Sequence, residues 1–162
     1  MRPMPADVAR RGLAPFVVAL FGLAVSSYLT VEHYAAPTLL ACPESAVVNC
    51  AKVTSSSWSQ VGPLPVAVLG LGYFLVMAAL TSPPEWRLPR LNTVRVAGAA
   101  AGVVTALYLI WVELFRVEAI CLWCTAVHVA AVALLSTVLW TAPPPAPASL
   151  SPPASLSPPA SR

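Results

Sequence analysis

Charge is what this sequence has least of. Only 9% of its 162 residues are Asp, Glu, Lys or Arg, while 58% are apolar. A soluble domain carries about a quarter charged residues, and a water-facing surface cannot be built from so few. The scarcity excludes an ordinary soluble domain, and a mean hydropathy of +0.78 places the chain in lipid. There is no basic face either. The net charge of +3 comes from Arg and Lys scattered beside apolar runs, with no aromatic platform, so nucleic acid is excluded as a partner. The length allows one domain.

What is present is a set of four long apolar runs, at residues 13–30, 65–80, 96–112 and 119–140. About 20 helical residues cross a hydrocarbon core of about 30 Å. With their flanks the runs predict spans at about 13–33, 63–81, 95–115 and 119–140, the second reaching full length only if its approach from Val61 is helical. Arg10 and Arg11 precede the first run as they would in a secretory signal. The run exceeds a signal's apolar stretch of about 7–15 residues, and Ala35-Ala36-Pro37 is a poor cleavage site, so it reads as a retained helix. The expected fold class is an all-α membrane protein, a four-helix transmembrane bundle with a long extracytoplasmic first loop.

Orientation follows from the basic residues. Arg2, Arg10 and Arg11 precede the first run, Arg87, Arg90 and Arg95 lie between the second and third, and Arg162 ends the chain. Lys52 stands alone in the first loop and Arg116 alone in the third. This bias puts residues 1–12 and both termini in the cytoplasm, and loop 35–63 and turn 116–118 outside. The stretch 141–162 is rich in Pro, Ser and Ala, with Ala-Ser-Leu-Ser-Pro-Pro repeated, and reads as a disordered tail.

All four cysteines fall on the expected outer side: Cys42 and Cys50 in the first loop, Cys121 and Cys124 opening the fourth run as C-x-x-C. Disulfide chemistry belongs in that compartment. At a helix start, unpaired N–H groups and the helix dipole favour thiolate, the reactive form. Residues three apart share a helix face, so this pair can close a small exchangeable ring, with Cys121 nearer the water and Cys124 one turn deeper. Three readings are compatible with four such cysteines. One is a zinc site, although seven residues between Cys42 and Cys50 is wide for a zinc half-site. Another is two inert structural disulfides in a non-enzymatic membrane scaffold. The reading the pattern favours is redox exchange between two pairs, with no metal. His128 lies one turn past Cys124 on the same face. It reads either as a group that stabilises a thiolate or relays a proton, or as a satisfied interior histidine. Glu32 and Glu113 lie near helix ends, where their carboxylates are expected to reach the interface.

The combination of Cys42, Cys50, Ser56 and Trp58 in the loop, Gly70 and Gly72 in the second run, Tyr108-Leu109 in the third and Cys121-Leu122-Trp123-Cys124 resembles the vitamin K epoxide reductase family over about residues 13–140. The resemblance implies a four-helix bundle around a quinone pocket. It implies that Cys121 and Cys124 are the active pair, with Cys124 facing the quinone, that Cys50 exchanges with Cys121, and that Cys42 meets an external thiol. Ser56 would lie near the quinone ring, where a hydroxyl can hydrogen-bond a quinone oxygen. Animal members carry an Asn near the start of the second helix and a Tyr four residues after the C-x-x-C; here those places read Pro65-Val66-Ala67-Val68 and His128. These departures bear on vitamin K epoxide as substrate and leave ordinary quinone reduction intact.

Many bacterial members carry a fused thioredoxin-like domain. This sequence shows none, which implies a separate thioredoxin-like (DsbA-like) partner. The implied activity is a quinone-dependent thiol–disulfide oxidoreductase in the inner (cytoplasmic) membrane, with a menaquinone- or ubiquinone-type acceptor, generating disulfide bonds in exported proteins. The first loop would be the mobile carrier between the pairs. Quinone or vitamin K epoxide recycling is the alternative enzymatic reading. The DsbB type, also four-helical and quinone-linked, has its C-x-x-C in the first exposed segment, the reverse of the order here.

Overall fold

The computed structural model describes residues 6–35, 41–43, 45–83 and 88–141. The expected disordered tail falls almost wholly outside the described residues, as do Arg2, Arg87 and Arg162. Four long helices carry the architecture: α1 (Ala6–Ala35), α3 (Val66–Thr81), α4 (Asn92–Val112) and α5 (Leu122–Thr141). A short helix α2 (Cys50–Thr54) and a hairpin of β1 (Gln60–Val61) and β2 (Leu64–Pro65) lie between α1 and α3.

Three stretches are long and apolar enough to cross a membrane: Gly12–Ala35, Asn92–Val117 and Leu122–Thr141. The helix Val66–Thr81 is shorter. Its 16 residues reach about 24 Å at 1.5 Å per residue, less than a hydrocarbon core. The expected span 63–81 is thus corrected at its start. Residues counted as helix there form the hairpin instead, pairing Gln60 with Pro65 and Val61 with Leu64. Gly62 turns it at φ 63°, a conformation glycine adopts freely. Pro65 then stands just before α3, where its missing N–H costs the helix nothing.

The core is built where small residues let helices approach. Ala19, Phe74, Met77, Ala78, Ala99, Ala130, Leu134 and Val138 form one buried cluster. A Cβ at Gly22 would overlap the Phe74 ring, so the α1–α3 contact depends on that glycine. Outward positions such as Phe21, Leu75, Val104, Leu107, Val129 and Leu139 are large, apolar and exposed, as a lipid-facing surface requires. α1 packs along α3 and α5, and α5 along α4, while α3 and α4 stand farther apart and meet where Tyr73 and Met77 reach Gly102 and Gly98. The bundle is therefore open on its α3–α4 side.

At one end the loop from α3 to α4 is closed by Arg95. Its side chain is 1% exposed, with Nε donating to the Leu80 carbonyl at 2.7 Å and Nη1 to the Leu88 carbonyl at 3.4 Å. These bonds satisfy a carbonyl at the end of α3 that the helix cannot satisfy itself.

At the other end the described part of the first loop is bonded to the start of α5. Val48 pairs with Ile120 as a parallel bridge, through Asn49 N to Ile120 O at 3.1 Å and Ile120 N to Val47 O at 2.9 Å. Trp123 Nε1 donates to the Ala41 carbonyl at 3.1 Å, and the Trp123 ring lies 4.7 Å from Tyr28. The cysteine-bearing part of the loop is folded onto the start of α5 by backbone bonds that the residue pattern did not signal.

Candidate functional site

Asn49 caps α2, its Oδ1 accepting from Lys52 N at 2.8 Å, and so fixes Cys50 as the first helical residue. Cys50 is 1% exposed and joined to the partly exposed Cys42, with Cα atoms 6.2 Å apart. The bridge between Val48 and Ile120 sets the register of two cysteines: Cys50 follows Val48 by two positions and Cys121 follows Ile120 by one. Cys50 and Cys121 share a buried cluster with Val53, Val112, Val117 and Ala119, and Cys42, Trp123 and Cys124 pack against it. The fold thus gathers all four cysteines around one cluster.

Cys121 stands where an N-cap stands. Its carbonyl accepts from Thr125 N at 2.9 Å, and its sulfur accepts from Cys124 N at 3.2 Å. A thiolate there completes one of the orphan N–H groups of the helix start. The thiol is held below the ordinary range, first by the hydrogen bond from the Cys124 thiol, then by the backbone N–H groups of Cys124 and Trp123; burial and the Glu113 carboxylate push the other way. Both Cys121 and Cys124 are free thiols. Cys121 precedes the first residue of α5 and Cys124 lies one turn further along it. Cys121 is fully buried, because the folded loop covers it, while Cys124 is partly open.

Cys124 lines a cavity of about 440 Å³ walled by α1, α3, α4, α5 and the first loop, together with Ser56, Glu113 and His128. Tyr108 and Leu109 line it from α4. The walls are mostly apolar, yet three buried polar atoms from its lining have no partner among the described residues: Ser26 Oγ, Tyr73 OH and His128 Nδ1. Unpaired buried polar groups are costly, and a ligand with polar ends relieves them. His128 lines the cavity, and its Nδ1 has no partner among the described residues. Ser56 is brought to the cavity, but its hydroxyl donates to the Val53 carbonyl at 2.8 Å and must release that bond to donate elsewhere.

Glu113 is the residue the sequence reading missed. It is 6% exposed and lines the cavity; Glu32, also expected at the interface, is 4% exposed. α4 does not stop at Val112 but widens into a π-helical turn, Glu113–Val117, ended by Glu118 in a left-handed conformation at φ 53°. That turn brings the chain back so that Ala119 N meets the Glu113 carbonyl at 3.2 Å and Cys121 N meets Glu113 Oε2 at 3.5 Å. Single π-turns recur at functional sites because they re-aim one side chain. The available signal was an acid in an apolar run just ahead of a C-x-x-C.

Among the described residues no group of three or more His, Cys, Asp or Glu is arranged to hold a metal ion. Cys42 and Cys50 are bonded to each other, which removes them as thiolate ligands.

The model of the vitamin K epoxide reductase family matches residues 13–139. No curated protein matches the chain.

Proposed function

The chain belongs to the vitamin K epoxide reductase family, and from that premise we propose that it moves electrons from a thioredoxin-like protein, through Cys42 and Cys50 to Cys121 and Cys124, and on to a membrane quinone. Membership supports a membrane oxidoreductase with a quinone as electron partner. The finer route rests on one observation: all four cysteines meet at a single buried cluster, and Cys124 opens from it onto an apolar cavity.

The route is a series of thiol–disulfide exchanges. A reduced DsbA-like partner attacks the Cys42 sulfur, the more exposed half of the loop disulfide, and frees Cys50 as a thiolate. Cys50 attacks Cys121 when the latter is paired with Cys124; the partner's second thiol displaces Cys42 and the partner leaves oxidised, and Cys42 then attacks Cys50, which releases Cys121 as a thiol. The loop pair is then oxidised and the Cys121–Cys124 pair reduced, the arrangement described above. A quinone supplies an acceptor for two electrons and two protons. Ser26, Tyr73 and His128 offer polar atoms for its oxygens, and the sparse α3–α4 contact offers a lateral way in for an isoprenoid tail. The net result is disulfide formation in exported proteins. In this reading the chain crosses the inner membrane four times, with α3 as the short span, both termini in the cytoplasm and the cysteines outside.

Anaerobic mixing of the reduced, purified protein with a soluble quinone tests the reading. Loss of the Cys121 and Cys124 thiols with one hydroquinone formed per disulfide is expected. Thiols that persist in excess quinone would reduce the protein to a membrane scaffold carrying a structural disulfide.

A further inference from the structure

We propose that Glu113 is the proton carrier of the Cys121–Cys124 pair, a role that rests on the quinone-linked reading above. Its carboxyl is buried at the rim shared by the cysteine cluster and the cavity. It accepts from the Cys121 backbone N–H at 3.5 Å and acts electrostatically on the Cys121 sulfur. No Lys or Arg is among the residues lining the cavity. A buried carboxyl without a counter-cation answers a change in neighbouring charge by taking up or giving up a proton. The neighbouring charge that changes is the thiolate of Cys121. Two anions this close in a poorly hydrated site repel strongly, so Glu113 and Cys121 share one proton.

The chemistry balances on that basis. The reduced pair holds two thiol protons, and Glu113 takes the one from Cys121. The Cys124 sulfur adds to the quinone; the Cys121 thiolate then attacks the Cys124 sulfur, the S–S bond forms, the sulfur–quinone bond breaks, and its electron pair stays on the quinone. The Cys124 proton goes to one quinone oxygen, and Glu113 returns the Cys121 proton to the other. Two S–H bonds break, one S–S and two O–H bonds form, and Glu113 ends as it began.

Other titratable groups face the same cavity: His33 from α1, Tyr73 from α3, Tyr108 from α4, and Cys124 and His128 from α5; the loop contributes none. A pH profile must therefore be read as a difference between variants.

Glu113→Gln keeps the shape and an oxygen that accepts from Cys121 N–H but cannot carry the proton. Quinone-driven thiol loss should slow about 100-fold at neutral pH, in the range of general acid–base effects. The gap from wild type should close as pH rises, because Cys121 then loses its proton to solvent and the wild-type carboxyl no longer holds one. A Gln variant as fast as wild type, or equally slow at every pH, overturns the proposal. Trapping a Cys50–Cys121 bond in Glu113→Gln with Cys124→Ala checks that the loop is still seated. If that bond does not form, Glu113→Ala takes its place: formate should restore its rate in proportion to concentration, and absence of rescue overturns the role. A wild-type protein that does not lose thiols to quinone takes down the functional reading itself, and this inference with it.

Discussion

The two ends of the bundle treat buried polar groups in opposite ways. Where α3 turns toward α4, Arg95 gives its guanidinium hydrogens to the Leu80 and Leu88 carbonyls, and Thr81 bonds the Met77 carbonyl at 2.7 Å. Asn92 Oδ1 is the exception there. At the cysteine end, Ser26, Tyr73 and His128 each keep a buried polar atom without a partner among the described residues, and Glu113 accepts one long hydrogen bond. The first end is finished as a structure. The second is left open, and open groups around an apolar cavity are what a ligand with polar ends completes.

Substitutions at the open end should therefore change chemistry more than stability. Cys124→Ala carries the largest expected effect. Without Cys124 the Cys121 sulfur has no partner to resolve it, so a Cys50–Cys121 bond accumulates and quinone reduction falls below detection. Peptide mapping under non-reducing conditions reads the connectivity. A trapped bond to Cys42, or retained quinone activity, would reverse the order of the cysteines.

The closed end should behave in the opposite sense. Arg95→Met strands buried carbonyls and is expected to destabilise the fold by about 3 kcal/mol, at about 1–3 kcal/mol for each group left unsatisfied. Thermal unfolding in detergent measures this, and the rate of quinone reduction per folded molecule should stay at the wild-type value. A large rate loss in the folded fraction would erase the distinction between the ends.

How much of this was legible follows from what each feature depends on. The long helices were readable because lipid demands continuous apolar runs, and the family resemblance at Cys42, Cys50, Cys121 and Cys124 rested on spacing that survives in the chain. The hairpin at Gln60–Pro65 was not readable: Val61, Leu64 and Pro65 are apolar in strand and helix alike, and only the φ of Gly62 separates them. The burial of Cys121 was hidden because its cover comes from Val47–Asn49, some seventy residues earlier, through backbone bonds that carry no side-chain signature. Glu113 was hidden for a related reason. Helix periodicity would end α4 in ordinary α geometry, and the π-turn is what re-aims the carboxylate.

A smaller effect concerns the acidity of Cys121. The hydrogen bond from the Cys124 thiol is the first cause holding it below the ordinary thiol value of 9.0. With Cys42 and Cys50 replaced by alanine so that only this pair titrates, thiolate absorbance should rise at a pH below that value. Removing Cys124 as well takes away the largest stabilising bond, so the transition should move upward. An unchanged midpoint would assign the acidity to the backbone N–H groups of the helix start instead.

The smallest effect tests the open groups directly. Tyr73 OH lies against Gly102 of α4 with no hydrogen-bond partner among the described residues. In the free protein this is a cost without return, since a buried hydroxyl has given up water and gained nothing. Tyr73→Phe removes the cost and keeps the ring, so the unliganded protein should unfold at the same temperature or slightly higher. If the hydroxyl meets a quinone oxygen, the same change should raise KM about fivefold, the equivalent of one ordinary hydrogen bond of about 1 kcal/mol, with kcat unchanged because the bond is made equally before and during the reaction. Ser26→Ala should act in the same sense. A lower unfolding temperature with an unchanged KM would show that Tyr73 OH finds a partner within the fold, and the contrast between a finished end and an open one would then narrow to Glu113 and His128.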